Sequence, residues 1–220
     1  MRPEDKKLVD NLIRVEKHLA SKKGPFDLFA LILRRELSDK WDLLVAADWI
    51  ENNFDQSLKL ISRELTKKLS SEELSAISKI VLLSIFDQRV KSVQKVIQVE
   101  HLNTELVNVD LFGFFVDHGY LITSKRRINE RLKELTWNVV LEEWKKAKKT
   151  ISSDEIFKKV SAQRKKVSPK AVNKVIDYLV DTGCIRGSKN IDFSSSPAPG
   201  SILITSVNPN CSPSSIAVAL

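Results

Sequence analysis

Apolar residues recur along this chain with two alternating periods, and the switches between them mark out its elements. Leu8, Leu12, Val15 and Leu19 stand three or four apart with charges between, which predicts a helix over residues 4–21. Lys23-Gly24-Pro25 breaks that pattern. Residues 26–34 (FDLFALILR) and 41–47 (WDLLVAA) are almost wholly apolar runs joined by a polar turn at 36–40. They predict a β-hairpin in the middle of a sheet, covered by helices on at least one side. Leu58, Ile61, Leu65 and Leu69 predict an amphipathic helix over 53–69, and Ser70 with Glu73 forms a capping box that opens a short helix to Ile77. Residues 79–85 (KIVLLSI) read as a strand and 87–97 as a helix with Val90, Val93 and Ile97 inward. Residues 99–124 read as two or three strands, 105–109, 112–116 and 120–123, hinged on Gly113 and on Asp117-His118-Gly119. The order α-β-β-α-β-α-β-β predicts a compact mixed α/β, or α+β, N-terminal domain over residues 1–124.

The composition changes at Lys125-Arg126-Arg127. Residues 1–124 carry 18 Lys/Arg against 19 Asp/Glu, and residues 125–220 carry 18 against 9, so the net charge of +8 belongs to the second part. Such an asymmetry points to one half that meets a polyanion and another with a different task. Residues 129–146 predict a helix with Leu132, Leu135, Val139, Val140 and Trp144 apolar, followed by Lys145, Lys146, Lys148 and Lys149 at its favoured cationic end. Ser152 and Glu155 form a second capping box, opening a helix whose inner face is Ile156, Phe157 and Val160. After a basic turn at 163–167, Ser168 caps a third helix with Pro169 at its first position. Val172, Val175, Ile176 and Leu179 face inward on it, which turns Lys170, Ala171, Asn173, Lys174 and Asp177 outward. Thr182-Gly183 ends that helix, and 184–186 and 202–207 read as short strands on either side of a polar loop. Residues 208–220 are expected to be a flexible tail.

Residues 130–207 resemble the winged helix-turn-helix family in element order, apolar spacing and the glycine-ended third helix. The resemblance implies a winged helix-turn-helix C-terminal domain, within a unit at 125–207, whose third helix enters the major groove of duplex DNA. Lys170, Asn173 and Lys174 would then face the DNA, with Asn173 placed for a bidentate contact to adenine. Lys170, Lys174 and the turn Arg164, Lys165 and Lys166 would meet phosphates, and Arg186, Lys189 and Asn190 would reach out from the wing. The loop at 187–200 is longer than a minimal wing. The stretches FDLFALILRRELSDKWDLLVAADWIE and HGYLITS make residues 24–125 similar to the N-terminal region of a bacterial protein family to which no activity is attached. Together these resemblances imply a nucleic-acid-binding protein, most simply of duplex DNA: a bacterial transcriptional regulator or DNA-associated accessory protein. The first domain would serve in homodimer formation, docking of a protein partner or ligand sensing. The alternative is an adaptor whose winged helix binds protein.

Other chemistry is sparse. Asp27, Asp42 and Asp48 lie on or beside adjacent predicted strands, the arrangement a metal-dependent nuclease would use, and this stands as a lower alternative. The acidic residue and lysine two apart on one strand, which that chemistry wants, are missing, and Glu64 with Lys67 has the spacing of a surface ion pair. His101 beside Glu100 and His118 beside Asp117 could form an acid/base pair at one sheet edge, although both are also ordinary turn compositions. His18 is placed on the outer face of the first helix, and Trp41, Trp49, Phe112, Phe114 and Phe115 read as core or interface residues. Cys184 and Cys211 have no neighbour at ligand spacing, so neither a disulfide framework nor zinc is expected, and Cys184 reads as a small buried apolar residue. No catalytic residue, metal or cofactor is expected. No run approaches the roughly 18–20 apolar residues of a spanning helix, and MRPEDKKLVD has no apolar stretch behind its charges, so the expectation is a cytoplasmic protein with no membrane partner.

Overall fold

The computed structural model describes residues 3–34, 40–111, 113–147, 150–164, 167–189 and 202–211, and the chain divides into two compact units, Met1–Arg127 and Ile128–Leu220. The fold class is mixed α/β.

The first unit contains α1 (Pro3–Lys23), β1 (Leu28–Arg34), β2 (Trp41–Ala46), α2 (Phe54–Lys68), α3 (Ser71–Ala76), β3 (Ile77–Leu82), α4 (Gln88–Val96), β4 (Thr104–Leu111) and β5 (Phe114–Ser124). Its described strands form one sheet in the order β3-β2-β1-β5-β4. Only β2 and β3 run parallel, because the chain between them crosses over through α2 and α3. Phe29 and Leu31 of β1 and Leu43 and Val45 of β2 pack with Leu12, Val15 and Leu19 of α1 and with Ile61 and Leu65 of α2. Leu28, Ala30 and Ile32, with Leu44 and Ala46, pack on the opposite face with Val90 and Val93 of α4. The two central strands are therefore covered on both faces, which is why their sequence shows no polar alternation.

Three expectations change here. Leu58 does not join the inner face of α2: it is 39 % exposed, and Ser57, Ile61, Glu64 and Leu65 are buried instead. His18 is half-buried rather than outward, with Nε2 3.4 Å from Glu64 Oε2. The expected turn at Asp117-His118-Gly119 is the middle of a continuous β5. Gly119 sits opposite Ile32 of β1 and Leu106 of β4, where an added Cβ would come within 3.2 Å of the Leu31 carbonyl oxygen. Pairing on both edges overrides the local turn preference, and glycine serves close strand approach.

The second unit contains α5 (Glu130–Ala147), β6 (Ile151–Ser152), α6 (Ser153–Gln163), α7 (Pro169–Asp181), β7 (Ile185–Lys189) and β8 (Ile202–Val207). The strands pair antiparallel in the order β6-β8-β7. β6 is too short to announce itself in sequence, and it doubles as the start of α6: Ser152 pairs with Leu203 and its side chain caps α6 through the Glu155 N–H. Leu132, Val139 and Val140 of α5 are buried, together with Trp137, which was not among the expected inward positions. Gly183, with φ +73°, ends α7 in a paired glycine turn: its N–H donates to Val180 O and the Cys184 N–H to Leu179 O.

Cys184 and Cys211 form a disulfide, against the expectation of two separate thiols. The glycine turn and the end of β8 bring their Cα atoms to 5.3 Å across 27 residues of sequence. Asn208 N–H also donates to Cys184 O, so residues 208–211, expected to be tail, are held to the unit; residues 212–220 lie outside the described residues. Two cysteines far apart in sequence carry no mark of their proximity. Closing a loop of this length restricts the unfolded chain by about 3.5 kcal/mol. Replacing both residues, Cys184→Ser with Cys211→Ser, is therefore expected to lower the urea midpoint of the second unit by an amount equivalent to about 3.5 kcal/mol, and reductant on the parent protein should reproduce the loss.

Candidate nucleic-acid interface

α7 is divided lengthwise. Val172, Val175, Ile176 and Leu179 enter the core, while Lys170, Asn173 and Lys174 fall within an arc of about 100° on the opposite side. Ser168 accepts a hydrogen bond from the Ala171 N–H, Pro169 occupies the first helical position, and no acidic residue stands in the first turn. The positive end of the helix dipole and the two lysines thus share one end of α7. The contrast with α6 is local and chemical, since α6 opens with Asp154 and Glu155.

The stripe is confined to the first half of α7. Asp177, expected outside, is buried, and Lys133 of α5 lies 5.4 Å from the centre of the neighbouring Tyr178 ring. α5 covers the second half, so the outer face read from spacing is outer only until the helices meet. Lys170 is exposed and Asn173 and Lys174 are half-buried. Arg164 is the half-buried C-cap of α6, and Arg186 is exposed on β7 opposite Ser206. Lys189 pairs with Ile202 at the far end of β7, where the backbone alone is described; Lys165, Lys166 and Asn190 lie outside the described residues. Some of the excess positive charge is spent internally. Glu143 of α5 holds Lys159 of α6 at 2.6 Å and Lys146 at 3.3 Å, and Lys133 is buried.

The other candidates disperse. Asp42 stands near the start of β2, about 13 Å of strand from Ala46, Asp48 lies in the turn after β2, and Asp27 precedes β1, where its N–H meets Ala46 O at that end of β2. Asp42 lies 3.7 Å from Lys79 Nζ, and no group of three metal-ligating side chains gathers among the described residues. The histidines occupy two separate networks along α1. His118 Nε2 is 2.9 Å from the Tyr120 hydroxyl and 3.0 Å from Glu105, and the Tyr120 hydroxyl donates to Asp5. His101 Nδ1 is 2.5 Å from Glu16, whose other oxygen accepts from the Thr123 hydroxyl at 3.0 Å. Asp5 and Glu16 are eleven residues apart on α1, a rise of about 16 Å, so the histidines do not form a pair.

A bulge makes the second network. Phe29 pairs with Thr123 but Ala30 with Leu121, so the extra residue in β5 turns Thr123 to the α1 face. Burial pushes the Glu16 carboxyl above its usual range, opposed by the hydrogen bond from His101. Asp5 and Glu16 were missed in the sequence, yet both stand at inward helical spacing with Leu8, Leu12 and Leu19, which is the available sign of a buried carboxylate. Next to His101, Lys125 Nζ at 2.6 Å and the Arg127 guanidinium both hold Glu100. The hydrogen bond from Lys125, then that from Arg127, lowers the Glu100 pKa to about 2.

Glu16→Ala leaves the His101 ring and the Thr123 hydroxyl without their buried acceptor, and chemical denaturation is expected to show a loss of about 3 kcal/mol. Glu100 acts at acid pH. A carboxyl lowered in the folded state contributes stability fully above its unfolded value and loses it as pH falls toward the folded one, here from 4.5 toward about 2. A Glu100→Gln protein should therefore show a shallower fall in urea midpoint than the parent across that window.

No protein-family model, no curated protein and no solved structure matches this chain, so the reading of its surface rests on the residues themselves.

Proposed function

We propose that the second unit is a winged helix that binds duplex DNA, and that the protein is a bacterial transcriptional regulator or DNA-associated accessory protein. The observation that carries this reading is the stripe Lys170, Asn173, Lys174 on the first half of α7, beside a helix start with no carboxylate. The order α5-β6-α6-α7-β7-β8 supports the winged-helix reading, with α7 as the recognition helix and β7–β8 as the wing. Lys170 and Lys174 would hold phosphates and Asn173 would read a base edge. Arg164 and Arg186 would add backbone contacts. The first unit would supply dimerisation, partner docking or ligand sensing.

The exposed large apolar residues favour this over an adaptor role for the second unit. Phe54, Leu58, Val96, Leu102, Val107 and Phe115 all lie in the first unit, so among the described residues the second presents charge rather than an apolar docking patch.

Titration of the full chain onto random duplex DNA at several salt concentrations tests the proposal. If about five phosphates are neutralised, the log of the affinity should fall against log salt with a slope of about −4 to −5. Lys170→Ala with Lys174→Ala should make that slope shallower by nearly 2. Asn173→Ala should leave the slope alone and relax discrimination at one base pair by about 1–3 kcal/mol once a preferred site is selected. A slope near zero for the parent protein removes the DNA reading.

A further inference from the structure

The first unit is near neutral as a whole, yet one of its clefts is lined by cations. A depression of about 590 Å³ lies between the end of α1, the turn after β2 and the first half of α2, and its lining includes Lys23, Trp49, Asn52, Ser57, Lys59 and Arg63. No carboxylate lines it among the described residues. Lys23, Lys59 and Arg63 are exposed, and the Arg63 Nε lies 3.8 Å from Glu64, which leaves the two terminal nitrogens of its fork for another anion. The volume falls in the range of small-molecule sites.

Two further observations point to a ligand with more than charge. Trp49 is half-buried and fixed before anything arrives: its Nε1–H donates to Gly24 O at 3.0 Å and its ring meets Phe26 edge-on at 5.5 Å. A locked indole at the side of a cleft offers an aromatic surface at little entropic cost. Ser57 is only 5 % exposed and still lines the cleft, which places a hydroxyl group on its wall.

We propose that this cleft binds a free nucleoside phosphate, with the base against Trp49, the phosphates among Lys23, Lys59 and Arg63, and Ser57 and Asn52 as hydrogen-bonding groups. Aromatic stacking together with cationic forks is the chemistry that recognises such a molecule. The site lies wholly within the first unit and does not depend on what the second unit binds.

Calorimetric titration of the full chain with AMP, ADP and GMP tests this, beside sodium pyrophosphate and a thymidine hexanucleotide. At least one of the three nucleotides should bind saturably with Kd below about 1 mM. Lys59→Ala with Arg63→Ala, both exposed positions, should weaken that binding about tenfold or more, whereas Lys170→Ala with Lys174→Ala should leave it unchanged. Four results overturn the proposal: no saturable binding of any nucleotide, pyrophosphate binding as tightly as the best nucleotide, binding of the hexanucleotide alone, or nucleotide binding indifferent to Lys59 and Arg63. None of these bears on duplex binding by the second unit, so the two proposals fail separately.

Discussion

Two adjacent strands without a wet face govern the first unit. β1 and β2 send apolar side chains to both sides, and each side left in water would cost about 25 cal/mol for every Å² of apolar surface. A single helical layer cannot cover both. α1 and α2 therefore lie on one face and α4 on the other, and the crossover from β2 through α2 and α3 sets β3 parallel beside it. β3 and β4 fall to the edges, where their partly exposed residues tolerate water. The polar networks are consequences of the same packing. Once α1 lies along β5, inward positions beyond the reach of the apolar stripe hold Asp5 and Glu16, and each needs a buried partner, which Tyr120, His101 and Thr123 supply.

In the second unit the same principle works on a smaller scale. α7 buries one stripe and presents another, and the two are chemically opposite. Its charge is nonetheless less available than the composition suggests, since Lys146 and Lys159 hold Glu143 and Lys133 is inside. The exposed cations of this unit include Lys170 at the start of α7 and Arg186 on β7, and also Arg131 and Lys145 of α5 and Lys158 of α6. In the first unit the reverse holds. A near balance of 21 basic and 19 acidic residues over residues 1–127 conceals a cleft whose lining, among the described residues, has cations and no carboxylates, because folding separates charges that composition averages. Net charge describes long-range attraction, while binding depends on the few groups that share a concave surface.

Legibility in the sequence followed range. Capping boxes at Ser70–Glu73 and Ser152–Glu155, the Ser168-Pro169 start and the Gly183 stop are decided by residues within one turn, and all are present in the structure. Failures came where a distant partner intervened. Gly119 looked like a turn residue until strands on both sides claimed it, and Asp177 looked outward until α5 covered it. Of the expected nucleic-acid contacts, the Lys170, Asn173 and Lys174 stripe was legible because helical spacing alone places it. Whether Arg164 or Arg186 joins that surface could not be read from spacing, since they stand on different elements. Trp49 and Ser57 were invisible as a pair, being eight residues apart across a turn and a helix start.

The sequence by itself determined the local chemistry of each element: which stripe of α7 is apolar, where each capped helix begins, and that the positive charge lies beyond residue 124. These depend on periodicity and on contacts within a few residues, which a linear text records. Only the tertiary structure decided that Cys184 meets Cys211, that Glu16 is buried against His101, and that Lys23 and Arg63 border one cleft. Each of those pairings joins residues from separate elements. Their proximity follows from how apolar faces are buried against one another, and that is a property of the whole packed unit rather than of any segment.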